Sequence, residues 1–152
     1  MKNRQYLLAL NRISQVGPRT IQKMLRKWPD LSELFKSSIQ DMLAAGLTEK
    51  TAKAIRAFNF SAIEKDLRWE ETKGHYLLTW DDTRYPSLLY EIYDPPAVLY
   101  AAGDISALKP PATAMVGSRN PSVTGLETAS RFGGDVGVPM LGRVGGLGVG
   151  LV

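Results

Sequence analysis

Apolar positions in the first third of the chain recur with a helical period. Ile21, Met24, Leu25 and Trp28 fall at i, i+3, i+4 and i+7, while Arg19, Lys23, Arg26 and Lys27 lie on or beside the opposite face. This pattern predicts an amphipathic helix closed by Pro29-Asp30. A short helix is expected over 31–36, and another from Ser38 or Asp41 through Leu43. Gly46 breaks the chain. Thr48 then suits the cap of a further helix carrying Ala52, Ile55 and Phe58, with Glu49 and Lys50 in its first turn.

From Leu67 the texture changes to short apolar runs broken by proline. Strands are expected over 75–80, 96–101 and 112–117, with Asp94-Pro95-Pro96 forcing an extended entry into the second. The third run is apolar on both faces, as in a buried parallel strand. A helix over 122–132 follows, with Ser122 or Thr124 near its cap. Strand, loop and helix in that order suggest the first unit of a doubly wound α/β domain. The organisation expected is therefore α+β and multidomain: a helical module over 1–66, the start of an incomplete α/β domain over 67–132, and an irregular tail over 133–152. Of the 14 glycines, 8 lie in that tail, without the spacing of a repeat. Such a composition matches an out-of-frame reading of a GC-rich gene, so a frameshifted or truncated C-terminus is expected.

Charge separates the same regions. Residues 1–66 carry 12 Lys/Arg against 6 Asp/Glu, and residues 67–152 carry 7 against 9. A basic segment ahead of a near-neutral remainder points to a polyanion, most often nucleic acid, although a solvated lysine-bearing helical surface has the same composition. No cysteine is present, which excludes disulfides, thiolate metal sites and cysteine nucleophiles. The lone His75 cannot build a histidine-rich metal site. With neither a signal peptide nor an apolar run of roughly 18 residues, a cytoplasmic protein without membrane contact is expected.

Two stretches, 13–25 and 42–55, each place a glycine in a turn between an apolar segment and a Lys/Arg-bearing helix. They resemble the helix-hairpin-helix, in which the turn glycine lets backbone amides approach a phosphate. Plain helix turns closed by glycine account for them equally well. The candidate contacts in this module are Gly17, Arg19, Lys23, Lys50 and Lys53. A second candidate is the loop after the third expected strand. Gly117 allows a close backbone approach, Ser118 and Ser122 offer hydroxyls, Arg119 supplies a fork matched to phosphate, and Gly125 lies in the first turn of the helix. It is neither a dinucleotide fingerprint nor a nucleoside triphosphate loop. Asp81 and Asp82 read as turn formers rather than a proton-sharing pair. The tryptophans read as packing residues, while Tyr85 and Tyr93 are the aromatics most suited to base stacking.

Val16-Gly17-Pro18, Tyr85-Pro86-Ser-Leu-Leu, Asp94-Pro95-Pro96-Ala-Val-Leu-Tyr and Val116-Gly-Ser-Arg119 with Ser122 and Gly125 occur in that order. In these blocks the chain resembles the bacterial DNA-processing protein A family (DprA/Smf), from about Met1 to Phe132. The resemblance implies a SAM-like or helix-hairpin-helix-like DNA-binding module followed by a Rossmann-like domain. It also implies single-stranded DNA binding, loading of the RecA recombinase during natural transformation, homodimerisation, no catalysis and no cofactor. Gly117, Ser118 and Arg119 correspond to the phosphate-binding loop, supported by Ser122 and Gly125. The family's Ser-Gly-x-Ala-x-Gly-x-Asp continuation is not found after Phe132. A nucleotide-processing phosphoribohydrolase-like enzyme is the alternative, but Gly145-Gly146-Leu147-Gly148 is followed by Val149 and no acidic residue.

Overall fold

The computed structural model describes residues 3–108 and 120–136, and the chain divides into two compact units, Met1–Gly103 and Asp104–Val152. The first unit opens with five helices: α1 (Arg4–Asn11), α2 (Pro18–Lys27), α3 (Leu31–Lys36), α4 (Ile39–Ala44) and α5 (Glu49–Arg56). Local chemistry sets their ends. Pro18 opens α2 behind Gly17, and the Asp30 carboxylate accepts from the Ser32 amide at the start of α3. Ser38 and Asp41 form a reciprocal capping box on α4, and the Thr48 hydroxyl accepts from the Thr51 amide on α5.

Gly46 closes α4 with φ +85°, donating to the Leu43 carbonyl, while Leu47 donates to that of Met42. This paired closure requires a left-handed residue. A Cβ at Gly46 would meet nothing within 4 Å, so the penalty for alanine comes from the backbone alone. Gly46→Ala is expected to cost about 1 kcal/mol of unfolding free energy, read as a lowered urea midpoint with unchanged slope.

A 3-10 turn (Phe60–Ile63) leads into α6 (Glu64–Glu70), then β1 (His75–Thr79), a single turn α7 (Ser87–Tyr90) and β2 (Val98–Ala102). β1 and β2 pair antiparallel, with His75 opposite Ala102 and Thr79 opposite Val98. The composition changes at Leu67, yet the compact unit continues to Gly103 because the strands share a core with the helices. Leu7 and Leu10 of α1 belong to a cluster with Ile21, Met24, Leu34 and Ile55. Leu8 and Ala9, the intervening residues, join Ile63, Leu77 and Val98 instead. Thus α1 is buried on opposite sides, facing helices on one and the sheet on the other. Phe35 and Phe58 pack against both clusters.

Two polar links reinforce this arrangement. The Arg12 guanidinium grips Asp66 with two hydrogen bonds of 2.6 and 2.7 Å, joining α1 to α6. The Asn3 side chain accepts from the Leu31 amide and donates to the Pro29 carbonyl, fixing the α2–α3 connection beside α1.

In the second unit, the described elements are a 3-10 turn (Ile105–Leu108) and α8 (Val123–Val136). The helix runs four residues beyond the expected end at Phe132, so Gly133–Val136, assigned from composition to the irregular tail, are helical. The third expected strand, over 112–117, lies outside the described residues. Among those residues the structure is mixed α and β with one two-stranded sheet. No described helix is long and apolar enough to cross a membrane.

Candidate nucleic-acid interface

Helix α2 turns Ile21 and Met24 into the core, and this orientation leaves its cations outside. Arg19, Lys23, Arg26 and Lys27 are all exposed, and the helix contains no acidic residue. Arg26 and Lys27 sit in its last turn, where the negative end of the helix dipole favours them. Among the described residues, no carboxylate forms a salt bridge with Lys23 or Arg26. Arg19, Lys23 and Arg26, at i, i+4 and i+7, share one face of the helix.

The two glycine turns come together beside this face. Gln15, Thr20 and Lys23 line one side of a cavity of about 160 Å³, and Gly46, Thr48 and Thr51 line the other. The turns differ in geometry. Gly17 is extended at φ −92° as the α2 N-cap, whereas Gly46 is left-handed. A Cβ at Gly17 would also meet nothing within 4 Å, so the fold itself does not demand glycine there. Lys50 and Lys53 are exposed on α5, and Lys53 pairs with Glu49 one turn earlier. Water screens that surface pair, which leaves the lysine accessible to a phosphate.

The aromatic expectations divide. Tyr85 is buried at 8% exposure, and its hydroxyl donates to the Pro96 carbonyl at 2.8 Å. Burial pushes its pKa up. Its place is in the core that holds β2, so the stacking role expected for it is incorrect. Tyr93 is 81% exposed, and the Arg19 guanidinium lies over its ring at 4.1 Å from the centroid. Nothing in the spacing of the sequence pointed to this pairing, which depends on the path of the chain after α7. Trp69 stacks on His75 with centroids 4.2 Å apart, and its carbonyl lies 2.9 Å from the His75 Nδ1. Asp82 accepts from the Arg84 amide and guanidinium, and Asp81 from Thr79 and the Asn3 amide. Both carboxylates therefore serve turns and anchoring, as their sequence context suggests.

In the second unit, Ser122 caps α8: its hydroxyl oxygen accepts from the Gly125 amide at 3.1 Å. A Cβ on Gly125 would lie 3.2 Å from that oxygen, so glycine eases the cap. The Gly125 amide is thus occupied within the helix, while the Ser122 hydroxyl retains its proton for donation. Gly117, Ser118 and Arg119 lie outside the described residues.

Comparison with known proteins gives these features a context. The chain is 38% identical over 130 residues to the DNA processing protein DprA of Bacillus subtilis (strain 168), covering 82% of this chain and 42% of that protein. It is 36% identical over 74 residues to Protein Smf of Escherichia coli (strain K12), covering 49% of this chain and 20% of that protein. The chain therefore spans less than half the length of either relative. No solved structure matches. The model of the family described as DNA recombination-mediator protein A matches residues 76–151, half of the 152 residues, including Gly117–Arg119, Ser122 and Gly125. The chain belongs to the DNA recombination-mediator protein A family.

Proposed function

We propose that this chain forms part of a non-catalytic, cytoplasmic mediator that binds single-stranded DNA, protects it and helps load RecA during natural transformation. The carboxylate-free basic face of α2, in a chain of this family, is the observation that carries the reading. In this proposal the helical segment over 1–66 is a DNA-binding module, SAM-like or helix-hairpin-helix-like, and the Rossmann-like segment begins after it. Gly17, Arg19, Lys23, Lys50 and Lys53 supply contacts from the helices. Gly117, Ser118 and Arg119 form the phosphate-binding loop, which Ser122 and Gly125 support through the start of α8. RecA and a second copy of the chain are partners proposed for the whole protein, and no cofactor is required.

Such binding is dominated by displaced counterions, so affinity falls with salt by about 0.7 log units per log unit of salt for each phosphate neutralised. Arg119→Ala is expected to weaken binding to fluorescein-labelled oligonucleotides of every sequence alike and to reduce the salt slope by about 0.7. Fluorescence anisotropy at several salt concentrations measures both quantities. Unchanged affinity and slope would remove Arg119 from the binding loop.

A further inference from the structure

We propose that Tyr93, held by Arg19, is a base-stacking platform that gives the first unit its own contact with a single strand. This inference rests on the single-strand reading above and adds Tyr93 to the residues that reading uses. A solitary exposed tyrosine means little, because scattered aromatic exposure is normal on protein surfaces. Tyr93 is distinguished by its surroundings. The residue is 81% exposed, and a guanidinium lies over its ring at 4.1 Å from the centroid. That guanidinium belongs to α2, whose Lys23 and Arg26 continue the same helical face over about 10 Å. Asp94-Pro95-Pro96 follows directly and restricts the backbone on the C-terminal side of Tyr93.

The pairing places a π-face beside a row of cations. A nucleobase stacks on tyrosine through dispersion and electrostatics that every base can supply, so the contact tolerates any sequence. The backbone of the same strand then has Arg19, Lys23 and Arg26 as phosphate partners. Arg19 serves both purposes: its guanidinium lies over the ring, and its N–H groups can donate to a phosphate. Duplex DNA keeps its bases stacked upon each other and offers this platform no free face. The site therefore selects single strands by base accessibility and retains them by charge.

The test compares the full chain with Tyr93→Ala, Tyr93→Phe and Arg19→Ala by anisotropy. Its probes are an oligothymidylate, an abasic oligomer of equal length and a duplex. Tyr93→Ala is expected to lose about tenfold in affinity for oligothymidylate with its salt slope unchanged, while Tyr93→Phe retains binding. On the abasic oligomer, Tyr93→Ala should match the unsubstituted chain. Arg19→Ala should lower affinity for both single strands and reduce the slope by about 0.7. The thermal midpoint of Tyr93→Ala should remain unchanged, because the ring is on the surface. Equal affinity of Tyr93→Ala and the unsubstituted chain for oligothymidylate would overturn the platform while leaving the DNA reading intact. Failure of the unsubstituted chain to bind either single strand at low salt would overturn both, and a preference for duplex would overturn the single-strand selectivity.

Discussion

Leu10→Ala should lower the unfolding free energy of the first unit by about 2–5 kcal/mol, among the largest effects expected from a single substitution. Leu10 is fully buried in the helical cluster, and its neighbours Leu8 and Ala9 are buried in the cluster beneath the sheet. A void at Leu10 therefore sits in an element clamped between two packed surfaces. Neither surface can move inward without disturbing the other. Domains of this size are stable by only about 5–15 kcal/mol, so the loss is a substantial fraction of the whole. Urea denaturation followed by far-UV circular dichroism provides the measurement. Leu88→Ala, at 70% exposure, is the control and should change stability by no more than about 0.5 kcal/mol. A similarly small change for Leu10→Ala would mean that α1 is not clamped as described.

Asp66→Ala is expected to cost about 2 kcal/mol at neutral pH. The Asp66 side chain is 7% exposed and receives both Arg12 hydrogen bonds, but water reaches the Arg12 side chain, at 36% exposure. That access keeps the expected loss below the value for a fully buried pair. The Arg12 hydrogen bonds, followed by the Tyr100 hydroxyl, hold the Asp66 pKa below its ordinary value. Tyr100 itself is pushed up to about 12 by desolvation and then by Asp66. For a depressed carboxyl pKa, the stabilisation is present above the unfolded value of about 3.9 and is lost as pH falls through the folded value. Asp82 acts in the same direction through Arg84. Asp66→Asn should therefore be less stable than the unsubstituted chain at neutral pH and lose less on acidification. Denaturation curves between neutrality and strong acid test this, and parallel losses in the two proteins would remove Asp66 from the acid response.

Helices α2 to α5 were legible because their ends use short-range chemistry: Pro18, Asp30, the Ser38–Asp41 box, Gly46 and Thr48. The strands around Leu77 and Leu99 were legible from apolar runs bounded by glycine and proline. Their union with the helices was not, because it depends on Ile63, Leu77 and Val98 meeting the far side of α1. Helix α6 was obscured by a charged sequence, Glu64–Glu70, stabilised through the distant Arg12. Tyr85 was misread because its partner, the Pro96 carbonyl, gives no sequence signal. The basic residues of α2 were visible from their period, whereas the ring beside Arg19 required the fold.

The small sheet also has a polarity with consequences for self-association. The Leu77 amide, midway along β1, donates to the Glu70 carboxylate at 3.1 Å, and Arg4 pairs with the other oxygen of that carboxylate. A third strand approaching β1 would have to displace this ionic plug. Among the described residues, β2 pairs with β1 alone. Unpaired strand edges template the addition of further strands. Strand addition on the β1 side is consequently opposed by the Arg4–Glu70 pair.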